Sequence, residues 1–124
     1  MYKIFLIFLT VLIFLSCKKE AAKKPLYSKT SQSPEQLGKE IFEGKGNCVA
    51  CHQPAQKIIG PSIAQIAKIY KDKNGDMVSF LKGNEEPLVD PSQYEVMKTN
   101  FAITKTMSDE ELKALEAYIY SNSK

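Results

Sequence analysis

The chain has 124 residues, of which 44% are apolar and 25% charged. That suits one ordinary globular domain and excludes low-complexity, collagen-like and disordered polymers. The formal charge of +3 is unevenly spread: residues 18–33 carry five lysines against one glutamate, while residues 34–124 carry eleven lysines against thirteen acids. The excess of positive charge therefore belongs to the N-terminal part and not to the domain.

The apolar run at residues 4–15 (IFLIFLTVLIFL) is twelve residues long. A bilayer-spanning helix needs about 20, so the run is too short for a span and fits the apolar region of an export signal, with Lys3 as its positive flank. It closes on Phe14-Leu15-Ser16-Cys17, which resembles the end of a bacterial lipoprotein signal. The resemblance implies a signal peptide over 1–16 and acylation of Cys17 as the first mature residue. The other reading is a plain secretory signal or a short uncleaved anchor, and both export the chain. Residues 18–33 (KKEAAKKPLYSKTSQS) are polar and lack an apolar period, so 17–33 reads as a lipidated cysteine followed by a flexible tether. The sixteen residues 18–33 reach at most about 53 Å and average about 22 Å as a coil.

A domain is expected over 34–124. Ser33, Pro34 and Gln36 form a helix-start pattern with a capping box, and Leu37, Ile41 and Phe42 share one face of the helix that follows. Gly44 and Gly46 end it. Gly60-Pro61-Ser62 opens a second helix with Ile63, Ile66, Ala67 and Tyr70 at core spacing; Pro61 suits its first position. Asn74-Gly75 is a turn, Asp76 can cap a short third helix through Phe80 and Leu81, and Gly83 ends it. Residues 84–106, with Pro87 and Pro91, read as loop. Ser108 and Glu111 form a capping box for a last helix carrying Leu112, Leu115, Tyr118 and Ile119 on one face. With no hairpin signal the fold class is all-α. About 90 residues with few large core side chains make a thin core, which a bound cofactor would staple.

Cys48-Val49-Ala50-Cys51-His52 carries the chemistry. The C-x-x-C-H pattern marks attachment of a c-type haem. Two thiols add to the two vinyl groups, the two-residue spacing lets both sulfurs reach the macrocycle edge, and the adjacent imidazole becomes a proximal iron ligand. A thioredoxin-like pair would follow a strand in a βαβ pattern, which is lacking. A structural zinc site needs four ligands; Cys48, Cys51 and His52 supply three, Cys17 is expected to be lipidated, and His52 is the only histidine. Without a second histidine the distal ligand is expected to be a methionine sulfur. Met97 and Met107 are the main candidates, with Met77 behind them. Met107 directly precedes the Ser108 cap and is suited to staple the last helix. Met97 lies in the loop with room to cross the haem face, where Tyr94, Phe101 and Ile103 can close the pocket.

The order Gly38-Lys39-Glu40-Ile41-Phe42, then Cys48 to His52, then Gly60-Pro61, then a loop methionine, then an amphipathic helix with Tyr118, resembles the class I cytochromes c, above all the short bacterial mono-haem type, over residues 34–122. The resemblance implies about four helices wrapped around one covalently bound haem c. It implies that the first and last helices cross at Gly38 with Phe42 and Tyr118 in contact, that the Pro61 carbonyl accepts the His52 Nδ1–H, and that Met97 is the sixth ligand. The cofactor-binding set is then Cys48, Cys51, His52, Pro61 and Met97, with His52 and Met97 on the metal and no catalytic residue. The implied function is one-electron transfer between respiratory redox partners by a non-enzyme, lipid-anchored on the periplasmic side. The alternative is a haem-bearing subunit or a docking or sensor domain of a larger redox complex. A peroxidase-like site would need a distal acid–base group, and the chain has no second histidine and no arginine. Expected partners are redox proteins at the membrane and the membrane itself through the lipid on Cys17. No nucleic-acid partner is expected, and the chain is expected to be a monomer.

Overall fold

The computed structural model describes residues 32–123. The signal peptide, Cys17 and all but the last two residues of the tether lie outside the described residues. Six α-helices occur among the described residues: α1 (Pro34–Glu43), α2 (Ile63–Lys73), α3 (Met77–Leu81), α4 (Tyr94–Lys98), α5 (Phe101–Thr104) and α6 (Asp109–Ser121). Two 3₁₀ turns, Cys48–Ala50 and Pro91–Gln93, complete the order. The all-α expectation holds, and the four expected helices are α1, α2, α3 and α6.

Local chemistry starts each of these four. The Ser33 hydroxyl accepts from Gln36 N at 3.3 Å, Ser62 from Gln65 N at 3.1 Å and the Asp76 carboxylate from Ser79 N at 2.7 Å. At α6 the Ser108 side chain accepts from Glu111 N while Glu111 Oε2 accepts from Ser108 N, a complete capping box. Lys45 pairs with the other oxygen of Glu111, tying the loop after α1 to the start of α6. Helix α2 begins at Ile63, so Pro61 stands outside it, before the Ser62 cap, and not at the first helical position.

The segment read as loop, 84–106, holds the Pro91–Gln93 turn, α4 and α5. Helices of five and four residues with no side-chain cap bond offer no apolar period to detect. Tertiary anchors hold them. Thr104 is fully buried, and its Oγ1 donates to Leu81 O at 2.6 Å, satisfying a carbonyl at the end of α3.

The largest helix–helix contact is α1 against α6. Gly38 is the reason they come so close. A Cβ there would lie 1.9 Å from Ala114 O and 2.7 Å from Tyr118 Cβ. Phe42 and Tyr118 pack 5.3 Å apart, centroid to centroid. Ile41, Phe42, Ile63, Ala67, Tyr70, Met77, Leu112 and Leu115 fill the core. Met107 is buried in the same cluster as Leu112, as a staple before the α6 cap requires. No helix among the described residues is long and apolar enough to cross a membrane.

Gly38→Ala should force α1 from α6 and destabilise the haem-loaded protein by about 3 kcal/mol, the upper range for overpacking. Denaturant melts followed by circular dichroism check this, and an unchanged midpoint would show that the crossing can relax.

Candidate functional site: a haem crevice built on Cys48–His52

The loop after α1 sets up the motif. Gly46 N donates to Ile41 O at 2.7 Å and Asn47 N to Gly44 O at 3.0 Å. Asn47 then takes a left-handed conformation, φ 51°, which asparagine tolerates better than most residues. The chain curls at once into the Cys48–Ala50 turn, where Cys51 N and His52 N both donate to Cys48 O, at 3.1 and 3.0 Å. This curl is what the two-residue spacing allows. Cys48 and Cys51 are half-buried and not disulfide-bonded.

His52 is held from two sides. Its Nδ1–H donates to Pro61 O at 2.7 Å; a carbonyl oxygen only accepts, so this bond places the proton on Nδ1 and leaves the Nε2 lone pair available to a metal. Gly60 lies against the ring: a Cβ there would sit 2.5 Å from His52 Cε1 and 2.8 Å from Nδ1. Gly60 N donates to Cys51 O at 2.8 Å, and Ile63 N and Ala64 N donate to Gln53 O and Pro54 O, at 2.9 and 3.1 Å. The start of α2 is thus bonded to the segment that follows His52, and the imidazole is fixed against a helix terminus.

Above this floor is a cavity of about 210 Å³. Cys48, Cys51, His52 and Pro61 line it, as do Met97 and Met77; Met107 does not. Ile66 and Tyr70 of α2, Phe80 and Leu81 of α3, and Leu88 and Val89 make the walls apolar. Tyr94 lines the cavity as expected. Phe101 and Ile103 do not. Phe101 stands behind the wall, 5.4 Å from the Phe80 ring and 6.3 Å from that of Tyr94, and Ile103 packs against the core. Tyr70, Phe80, Leu88 and Val89 are wall residues that sequence reasoning did not assign to the site. On α2 and α3 the apolar period signals burial, and it cannot tell a wall from a core.

The alternatives to haem do not fit this geometry. Burial pushes the Cys48 thiol up to about 11, the reverse of the lowered value that makes a redox-active thiolate. Among the described residues no three His, Cys, Asp or Glu side chains converge as a metal site would need. A flat apolar macrocycle does fit: two thiols at one edge of an apolar cavity, an imidazole with Nδ1 already engaged, and a thioether on the lining.

These features define a c-type haem protein. Residues 35–123 match the model of the cytochrome c family, and the chain belongs to that family. It is 46% identical over 39 residues to cytochrome c-552 of Nitrosomonas europaea, a stretch covering 32% of this chain and 37% of that relative. The domain binds one haem c covalently, with Cys48 and Cys51 supplying the thioether sulfurs and His52 completing the C-x-x-C-H motif.

Gly60→Ala should keep the covalent haem but tilt the imidazole and lengthen its bond to Pro61. We expect the His52 ring-proton signals in NMR spectra of the reduced protein to shift and the thermal midpoint to drop. Unmoved ring-proton signals would show that Gly60 does not hold the ring.

Proposed function

We propose that this chain is a membrane-tethered mono-haem cytochrome c that carries one electron at a time between redox partner proteins on the periplasmic side, and that it is not an enzyme. The observation that carries this reading is the pairing of His52 and Met97 on the lining of one apolar cavity.

When bound, haem c supplies a one-electron iron couple, and a histidine–methionine pair raises its potential relative to two nitrogen ligands. His52 would hold the iron through Nε2 while Pro61 fixes its tautomer, and a hydrogen-bonded imidazole is a more basic ligand. Met97 would supply the second protein ligand. Two protein ligands would leave no open position for a substrate, which favours outer-sphere transfer over catalysis. The apolar walls exclude water and keep the surroundings from reorganising when charge changes. Acid–base chemistry lacks a second histidine and any arginine to support it.

Partner contact is proposed at the mouth of the crevice. Ile59 and Val96 line the cavity and are 55% and 49% exposed; Val49 and Ile58 are exposed beside Cys48 and Ile59. Nearby lysines are matched by acids: Lys57 by Asp90 and Lys98 by Glu95, each at 3.0 Å. A near-neutral apolar rim suits a small, brief contact with little electrostatic steering. The lipid proposed on Cys17 and the tether would compensate by raising the effective concentration of the domain near membrane partners. A single acyl chain binds membranes only marginally, so stable anchoring needs more than one.

Two experiments test this. The reduced native protein should bind little carbon monoxide at neutral pH, whereas Met97→Ala should keep its haem, bind carbon monoxide readily and show a lower midpoint potential. Ready binding by the native protein, or a Met97→Ala spectrum and potential identical to native, refutes the closed-shell carrier. Cys17→Ser should move the protein from the membrane to the soluble fraction of its host, and persistent membrane association removes the lipid anchor from the proposal.

A further inference from the structure

Thirty-three positions separate Lys57 from Asp90, yet Lys57 Nζ donates to Asp90 Oδ2 at 3.0 Å. The pair links the two segments that carry the candidate iron ligands. Lys57 lies in the loop between His52 and Pro61, and its backbone forms an isolated antiparallel bridge with that of His52. Asp90 lies on the cavity lining, seven positions before Met97. It precedes the Pro91–Gln93 turn that leads into α4, and its Oδ1 accepts from Ser92 Oγ at 2.5 Å. Among the described residues it is the only ion pair joining the 52–61 loop to the 84–100 segment.

The two sides of the crevice differ in how firmly they are built. His52 is held by Pro61 O, by Gly60 and by backbone bonds into an eleven-residue helix. Met97 sits on a five-residue helix whose N-cap makes no side-chain bond. A neutral bond, Asn100 Nδ2 to Gly46 O at 3.1 Å, fastens the far end of this segment; Lys57 fastens the near end. The Asp90 side chain is 20% exposed and that of Lys57 56%, so the pair is partly exposed. Exposed pairs add little to global stability, but local opening of a short segment is governed by a few such contacts.

We propose that Lys57 and Asp90 are positioning residues whose ion pair straps the Met97 segment to the His52 loop and keeps Met97 from yielding its place to competing ligands. The inference rests on Met97 as the distal ligand.

The test uses the haem-loaded full chain. Imidazole is titrated into the oxidised protein and followed optically, and midpoint potentials are measured in parallel. Lys57→Gln and Asp90→Asn should each raise imidazole affinity about three- to fivefold, the scale of a partly exposed ion pair. The double variant should add nothing to either single one, the exchanged pair Lys57→Asp with Asp90→Lys should restore the native affinity, and high salt should move the native protein toward the variants. Both single variants should shift the potential downward together. Opposite shifts in potential with unaltered imidazole affinity would mean that the two charges act only through their field, and would overturn the strap. Met97→Ala separates the two claims. If it raises imidazole affinity while the Lys57 and Asp90 variants do not, the strap alone fails. If it leaves imidazole affinity at the native value, Met97 is not the ligand and both claims fall.

Discussion

The bond from His52 Nδ1 to the Pro61 carbonyl organises the site, because it fixes the one imidazole in the chain as a donor on one nitrogen and leaves the lone pair of the other available to a metal. A proline suits this acceptor: its carbonyl is available while its nitrogen demands no partner. Standing just before the Ser62 cap of α2, it delivers that carbonyl from the edge of a helix and not from a free loop. Gly60 completes the arrangement by what it lacks, since a side chain there would occupy the space of the ring. Three successive residues thus do separate jobs. Gly60 makes room, Pro61 accepts the hydrogen bond, and Ser62 starts the helix that keeps both in place.

The close crossing of α1 and α6 serves the site from behind. Gly38 brings the helices together, and the Phe42–Tyr118 contact follows from that approach. Phe42 is also a lining residue of the cavity, so the crossing and the crevice share a wall. The same economy appears across the domain. Tyr70, Met77 and Leu81 belong at once to the buried core and to the cavity lining. In so small a domain an apolar cavity bordered by core residues would be a loss of packing unless filled. The prosthetic group is then part of the core, and its covalent attachment means it cannot dissociate and leave that volume open.

What could be read from the sequence follows from distance along the chain. Cys48 to His52 are contiguous, and their chemistry is written in five adjacent letters. The caps at Ser33, Asp76 and Ser108 act over three residues, and each starts the helix expected of it. Burial along α2 and α6 follows their apolar period. Legibility ends where long-range contacts take over. Helices α4 and α5 are too short to carry a period, so the segment around Met97 reads as loop when it is in fact two short helices pinned by Thr104 and Asn100. Phe101 and Ile103 have the right composition to close the pocket, yet they back its wall because Phe80 and Tyr94 stand in front. The Lys57–Asp90 pair joins residues that nothing in the sequence connects.

This uneven construction has a physical consequence for a protein that must change charge without changing shape. The thioether and histidine side is fixed by covalent bonds and by backbone hydrogen bonds into a helix. The methionine side is held by side chains over a stretch with no helix longer than five residues. Any free energy that a change of oxidation state releases into the protein will move the softer side first, because local motion follows the density of local contacts. The rigidity of the crevice is therefore set by the few bonds that tie residues 84–100 back to the loops on either side of the haem motif. The sequence of that segment, more than the motif itself, decides how firmly this wall of the crevice is held.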